Sequence, residues 1–329
     1  MAVLATTNLT LADLAKRRDT NLKVAKITEI LTATNEMLED MPWVAANDGT
    51  GHKTTIRSGL PIGTWRLLNY GVFPEKSTTV QVRDGTGMLE SYSEVDKALV
   101  DMSTDKEAFL LSEAKAFLEG MNQNMATTVI YGDSSVFPER FTGLAPRFNS
   151  KTAENGQNVI DAGGTGNNNT SIWLICWDES TVHGIYPAGT TGGLKQEATR
   201  QETLFDAQGG RYEGFRTHFL WYCGLTVRDW RYIVRIANID TTLLSATAAT
   251  GGNLIDLMIQ AIELLPNTRI GRAVFYVNRT VRSFLRRQIV NKTNVWLNME
   301  EVAGRKVMTF DGIPVKRVDA ILNTEARVV

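Results

Sequence analysis

Residues 104–131 read TDKEAFLLSEAKAFLEGMNQNMATTVIY, the clearest helical stretch of the 329-residue chain. Thr104 and Glu107 are spaced as a capping box, in which the threonine side chain accepts from the Glu107 amide and the glutamate reaches back. Leu110, Ala114, Phe117, Met121, Met125 and Val129 then recur at intervals of three and four, so one face is apolar. Gly132 and Asp133 end the run. About 26 residues rising ~1.5 Å each give a rod about 39 Å long, the length of a helix around which a domain is built.

The segment before this helix has the opposite character. Between residues 47 and 95 lie Gly49, Gly51, Gly59, Gly63, Gly71, Gly85 and Gly87, with Pro61 and Pro74. These breakers separate short β-prone runs at Lys53–Arg57, Thr64–Leu68 and Thr78–Arg83, the last alternating as a half-exposed strand does. The segment reads as an extended hairpin with few large apolar residues and no core of its own. A two-stranded arm of this kind is marginal alone and normally lies on something else.

Outward from there, residues 8–40 read as helical. Leu9, Leu11, Ala12, Leu14 and Ala15 form a short amphipathic piece, and Thr20 caps a second helix carrying Val24, Ile27, Ile30, Leu31, Thr34 and Leu38, ended by Pro42. Beyond the long helix, residues 140–200 are rich in turn formers, but Ile172–Trp177 is a continuous apolar run expected to be a buried strand. Residues 211–237 predict further strands, and 253–265 a helix capped by Asn253 and stopped by Pro266. Ala273–Val277 predicts a strand, and Asn278 caps a basic helix that runs to Val290. Val307–Phe310, a turn at Asp311-Gly312 and Pro314–Val318 close the chain with strands.

Composition bounds the function. Hydrophobic residues make up 43% and charged residues 22%, enough for a real core. With 35 basic and 36 acidic residues the net charge is -1, which excludes a chain that wraps nucleic acid over its whole surface and permits association between copies. There is no signal-peptide pattern, and no apolar run nears the ~18 residues that span a bilayer, so no membrane role is expected. Cys176 and Cys223 stand far apart, as two buried thiols or one disulfide.

Motifs for chemistry are weak. Gly49-Thr50-Gly51-His52-Lys53-Thr54 lacks the glycine directly before lysine that a phosphate loop requires. His52, His183 and His218 show no paired spacing, and Asp178, Glu179 and His183 read as solvated residues beside a turn more readily than as metal ligands. No nucleophile elbow is present. No catalytic, cofactor or metal residue is therefore assigned. The one charge feature is the face formed by Arg279, Arg282 and Arg286, with Arg287 and Lys292 beside it. It reads either as a contact to DNA or a neighbouring acidic surface, or as a solvated helix face with internal ion pairs.

Three segments, taken together, resemble the major capsid proteins of tailed bacteriophages with the Hong Kong 97-like fold, especially those of podovirus-type particles. They are Thr54–Pro61 continuing through Trp65–Val72, the helix at 104–131, and Trp177-Asp178-Glu179 with Val182–Pro187. The resemblance covers essentially the whole chain and rests on order and context. It implies an α+β fold with an N-terminal helical arm (1–46), an extended loop or β-hairpin arm (47–95), and a peripheral domain carrying the spine helix (96–150). A mainly axial domain (151–265) and a closing peripheral and axial segment (266–329) follow. It implies a non-enzymatic shell subunit that self-assembles as hexamers and pentamers into an icosahedral capsid around double-stranded DNA. The shell would be located in the virion after synthesis in the bacterial host cytoplasm. Arg57, Trp65, Arg66, Phe73 and Leu89 are the expected intersubunit residues, and Arg279, Arg282, Arg286 and Arg287 the basic face toward DNA or a neighbour. A portal, a decoration protein and, since only about 50 residues precede the loop and the chain starts at Met1, a separate scaffolding protein are the expected partners. Another phage structural or accessory protein, or an α/β enzyme with no recognisable motif, are the alternatives. The enzyme would need a deep pocket with perturbed titratable groups.

Overall fold

The computed structural model describes residue 9 and residues 33–103, 105–206, 208–244, 254–291, 297–302 and 305–329. The expected N-terminal helices before residue 33, the capping residues Thr104 and Asn253, and Lys292 lie outside the described residues.

A 19-residue strand, β3 (Thr78–Asp96), joins two parts of the molecule. Its first half pairs antiparallel with β2 (Gly51–Gly59), from Gly51↔Gly85 to Gly59↔Thr78. Its second half pairs antiparallel with β9 (Arg211–Val227), from Thr86↔Gly224 to Asp96↔Gly214. The hairpin expected at 47–95 is therefore present, and one of its strands continues into the main sheet. Thr64–Leu68 is not a strand. Pro61 and Gly63 precede it, no strand lies beside it, and residues 60–77 form the irregular tip of the arm.

The main sheet is centred on β5 (Asn169–Trp177), buried along its whole length as the apolar run predicts. It lies antiparallel between β10 (Ile233–Asp240) and β11 (Arg272–Val277). β11 pairs parallel with β14 (Ile313–Arg317), which continues antiparallel to β13 (Arg305–Phe310) and then β12 (Leu297–Val302). β6 (Val182–Tyr186) bridges β5 to β9 and takes β1 (Trp43–Ala45) on its other side. β4 (Val159–Asp161) edges β10, while β7 (Gly193–Gln196) and β8 (Arg200–Phe205) edge β9.

Alternation along β5 assigns its two faces. Ile172, Leu174 and Cys176 pack with Phe275 and Val277 against the helices α5 (Leu254–Glu263) and α6 (Arg279–Asn291), through Met258, Ala261, Val281, Phe284 and Leu285. Trp173, Ile175 and Trp177 belong to the opposite core, with Met37, Met125, Val129, Leu144, Phe148 and Val328. A strand covered on both faces favours apolar residues at successive positions, which is why residues 172–177 show no polar alternation, while the buried polar residues at its start, Asn169, Thr170 and Ser171, are engaged by hydrogen bonds. Each such side chain contributes roughly 1.5–3 kcal/mol by leaving water.

The long helix α3 (Lys106–Tyr131) follows the short α2 (Lys97–Asp101). Its observed cap is Asp105, whose carboxylate accepts from the Ala108 amide at 3.0 Å, one residue later than the expected threonine. Ala114, Met121, Met125 and Val129 are buried as the periodicity predicts, while Leu110 and Phe117 are half-buried and Phe109 is buried instead. The first turn leans on a separate small cluster of Val95, Leu99 and Val100, with Leu9 against it, and this shifts the buried stripe by one residue. Gly132 follows the last helical residue with extended ψ, and only glycine fits there, since a Cβ would come to 2.5 Å from the carbonyls of Phe141 and Thr128.

The helix expected to run through Thr34 to Leu38 is broken. Asn35 forms a bridge to Val318, and the Asp319 amide donates to the Thr34 carbonyl at 2.9 Å, so tertiary pairing replaces helical bonds there. Among the described residues of this segment only α1 (Met37–Asp40) is helical. Asp40 then fixes this segment: its carboxylate takes Lys316 Nζ at 2.6 Å, Arg272 at 2.9 Å and the Tyr276 hydroxyl at 2.9 Å. The C-terminal tail is held in the same way. Glu325 accepts from Arg235 Nη2 at 2.9 Å and from the hydroxyls of Tyr131 and Ser171, and Asn238 and the Val328 backbone exchange bonds of 2.8 and 2.9 Å.

Candidate assembly surfaces

The arm presents the largest concentration of apolar surface among the described residues. Leu60, Ile62, Trp65, Leu67, Leu68, Tyr70, Val72 and Phe73 all point away from the chain's own core, with Ile62 95% and Phe73 90% exposed. The expectation that this arm carries few large apolar residues is corrected here: the strands are poor in them and the tip is rich. Isolated surface apolar residues are ordinary, but eight within one tip mark a contact surface. The tip is not shapeless. Glu75 accepts from the Gly63 amide at 3.0 Å, and the Tyr70 amide donates to the Leu67 carbonyl at 3.2 Å across a turn in which Asn69 has a φ of 70°.

Among the expected intersubunit residues, Trp65, Arg66 and Phe73 stand on this tip, and Arg57 is exposed on β2. Leu89 differs. It is half-buried on β3 and packs against the core of its own chain. It also lines an open groove of about 400 Å³ between β3 and α3, together with Phe117, Gly120 and Met121. A second cavity of about 200 Å³, which shares Leu89 and Asn124 with the first, extends it past Met88 to Arg140. The residues sequence reasoning missed are Leu60, Ile62, Leu67, Leu68, Tyr70 and Val72. Their signal was present, as apolar residues without helical or strand period inside a glycine- and proline-rich segment.

The basic helix is α6, capped as expected by Asn278, whose side-chain oxygen accepts from the Val281 amide at 2.8 Å. Its arginines divide. Arg279 reaches Asp319 at 3.3 Å and Arg282 reaches Glu36 at 3.7 Å, both within the chain. Arg286 and Arg287 are exposed.

The remaining polar candidates do not gather into a site. Lys53 is exposed on β2, where its backbone exchanges bonds of 2.8 Å with the Asn47 side chain, so residues 51–54 are strand and 49–50 a bend before it, not a phosphate loop. The Asp178 carboxylate is taken by the Ser180 amide at 2.9 Å, whereas His183 is buried. Among the described residues no three His, Cys, Asp or Glu side chains converge as a metal centre would require. Cys176 and Cys223 are buried free thiols, and burial pushes them up to about 11 and about 12, which leaves them unreactive. Burial and the Glu325 carboxylate hold the Tyr131 phenol far above its ordinary range, so it remains a donor. No helix among the described residues is long and apolar enough to cross a membrane.

Comparison with known proteins agrees with this geometry. Residues 19–329 match the family model described as major capsid protein GP7. No curated protein matches. A chain from the structure of bacteriophage Epsilon15 superposes with a TM-score of 0.81 at 41% identity, covering 100% of this chain and 99% of that one. A chain of the bacteriophage JBD30 capsid shares the fold, with a TM-score of 0.53 at 10% identity over 95% of this chain and 99% of its own. The fold as a whole is thus the Hong Kong 97-like fold, and the chain belongs to the GP7 family of major capsid proteins, the shell subunits of tailed phages.

Proposed function

We propose that copies of this chain close into an icosahedral shell of hexamers and pentamers around double-stranded DNA, each arm tip being buried on a neighbouring copy. The observation that carries this reading is the exposed apolar tip, Leu60–Phe73. Covering Trp65 and Phe73 alone contributes roughly 3–6 kcal/mol per arm. Repeated around a closed shell, such contacts make assembly strongly cooperative. Arg57 and Arg66 supply polar contacts at the rim of the same interface. The shell is made in the bacterial host cytoplasm and matures with a scaffolding protein, a portal and a decoration protein as partners.

The test is a Trp65→Asp, Phe73→Asp double variant, followed by electron microscopy and sedimentation beside the native chain. The expected result is a stability of the unassembled chain unchanged to within about 0.5 kcal/mol, with loss of closed particles. Normal yields of closed particles from the variant would overturn the arm assignment.

Arg286 and Arg287 form the part of the basic face left for an outside partner. The near-neutral net charge supports weak, local contacts to packaged DNA or to an acidic neighbour. Arg279 and Arg282 are engaged in holding the chain's own N- and C-terminal segments.

A further inference from the structure

Two imidazoles meet at the root of the arm. His52 lies in β2 opposite Asp84 of β3, and His183 lies in β6 opposite Thr226 of β9. The rings touch edge to face, with centroids 5.7 Å apart and planes at 87°. Both are buried, His52 to 6% and His183 to 1% exposure. No well-formed hydrogen bond reaches any of their four nitrogens, nor Thr54 Oγ1, Thr226 Oγ1 or Asp84 Oδ2 beside them. Buried polar groups without partners are costly and rare, and an apolar pair would hold the same strands without that cost. What imidazole adds is a site for a proton.

The position is mechanically specific. Among the described strands β2 is hydrogen-bonded only to β3, so nothing but side chains holds it against β6. Just before β2, the Ala46 amide still donates to the Tyr186 carbonyl at 2.8 Å. The contact between His52 and His183 therefore sits where the arm leaves the body. The charged groups around it are few. Asp84 faces both rings from β3, but Arg147 of α4 (Leu144–Arg147) holds its other oxygen at 2.7 Å. Arg228, just past β9, opposes a positive charge on either ring, and the Asp178 carbonyl before β6 favours one on His183.

We propose that the His52–His183 contact is an acid-sensitive latch: with both rings neutral it fixes the arm's direction, and their protonation drives β2 off β6 and frees the arm to swing. Burial, Arg228 and the neighbouring ring together hold His183 down to about 4, and burial and Arg228 also lower His52, so both are neutral near pH 7. A second positive charge would stand beside the first and beside Arg228, with only the half-engaged Asp84 to offset them.

The latch rests on the reading of residues 47–95 as a movable arm, and its test is made on the unassembled full chain so that shell formation does not enter. Amide hydrogen exchange is followed in residues 51–57 and 78–85 from about pH 7.5 to about pH 4, after correction for the intrinsic rate. The native chain is expected to lose protection there by about tenfold or more on acidification, while a His52→Phe, His183→Phe variant keeps it. Should that variant fail to fold, deuterium uptake at the imidazole C2 positions of the native chain reads each ring's titration directly. Equal acid sensitivity in native chain and variant, or both rings titrating near the ordinary 6.5, would overturn the latch. Assembly of the arm-tip variant would instead overturn the interface reading and leave the latch standing.

Discussion

Replacing Glu325 with alanine probes how the C-terminal tail is held. The carboxylate is 5% exposed and faces Arg235, itself 4% exposed, at 2.9 Å. It also receives the hydroxyls of Tyr131 and Ser171. In Glu325→Ala the Arg235 guanidinium remains charged and buried. It keeps the Phe148 carbonyl at 2.8 Å, Ser171 Oγ at 3.1 Å and the Trp173 ring at 5.0 Å, none of which carries a negative charge. Breaking a buried pair in this way costs about 3–5 kcal/mol, and the two hydroxyls left without their acceptor add about 1 kcal/mol each at most. For a chain of 329 residues, with an unfolding entropy of about 0.7 kcal/mol/K, that corresponds to a fall in melting temperature of about 4–10 °C. Thermal unfolding of the unassembled chain by circular dichroism measures it, and limited proteolysis should show earlier cleavage after Arg327. An Arg235→Met, Glu325→Leu variant, which removes both charges, is expected to regain most of the loss. A fall below about 2 °C in Glu325→Ala would refute the assignment of the tail's anchorage to this pair.

Stability should also depend on pH through His183. The unfolded ring takes a proton near 6.5, but the folded one resists until about 4, so the unfolded state binds more protons within that window and stability falls as the pH is lowered through it, by on the order of 3 kcal/mol; urea midpoints of the native chain should show this slope and those of His183→Phe should lack it. Gly271→Ala should destabilise by about 2 kcal/mol or more, because φ is +71° and a Cβ would meet the Trp177 carbonyl at 2.4 Å; a loss under about 0.5 kcal/mol in the same urea assay would be inconsistent with that geometry. Arg286→Gln with Arg287→Gln should lower the yield of DNA-filled particles with little change in the melting temperature, whereas Arg282→Gln should change stability through its contact with Glu36; filled-particle yield against melting temperature separates the two.

The readable parts of this sequence were those in which local pattern and tertiary environment agree. The apolar run Ile172–Trp177 is a strand because both its faces are covered, and a run without polar alternation says so directly. The helix ending at Tyr131 follows its own period except where Phe109 turns to a second small cluster. Asp311-Gly312 closes β13 and β14 with φ of 49° and 76°, as that residue pair favours. Failures came where distant chain decided. Thr34 and Asn35 have helical neighbours in sequence but bind Asp319 and Val318. Thr64–Leu68 has β-prone residues but no strand to pair with. In the assembly surface, Trp65 and Phe73 were legible as apolar residues with no place in a core of their own. The contact of His52 with His183 was not, because it joins strands far apart in the chain and leaves no local signal. The division of the basic face was hidden likewise, since the acidic partners Glu36 and Asp319 come from opposite ends of the sequence.

The continuity of β3 restricts how such a chain can change length. One backbone serves two ladders, the arm on one side of Gly85 and the body on the other. Inserting a single residue near that point would exchange the two faces of one ladder relative to the other. Val95 and Leu89 would then turn toward solvent and Met88 and Tyr92 inward. Insertions of two would keep the faces but slide Asp84 away from His52. The arm can therefore gain or lose residues without penalty only between Gly59 and Thr78, where no strand partner keeps count. Differences in reach between related shells should be found in that tip, and particle geometry can be altered there while the body of the subunit stays the same.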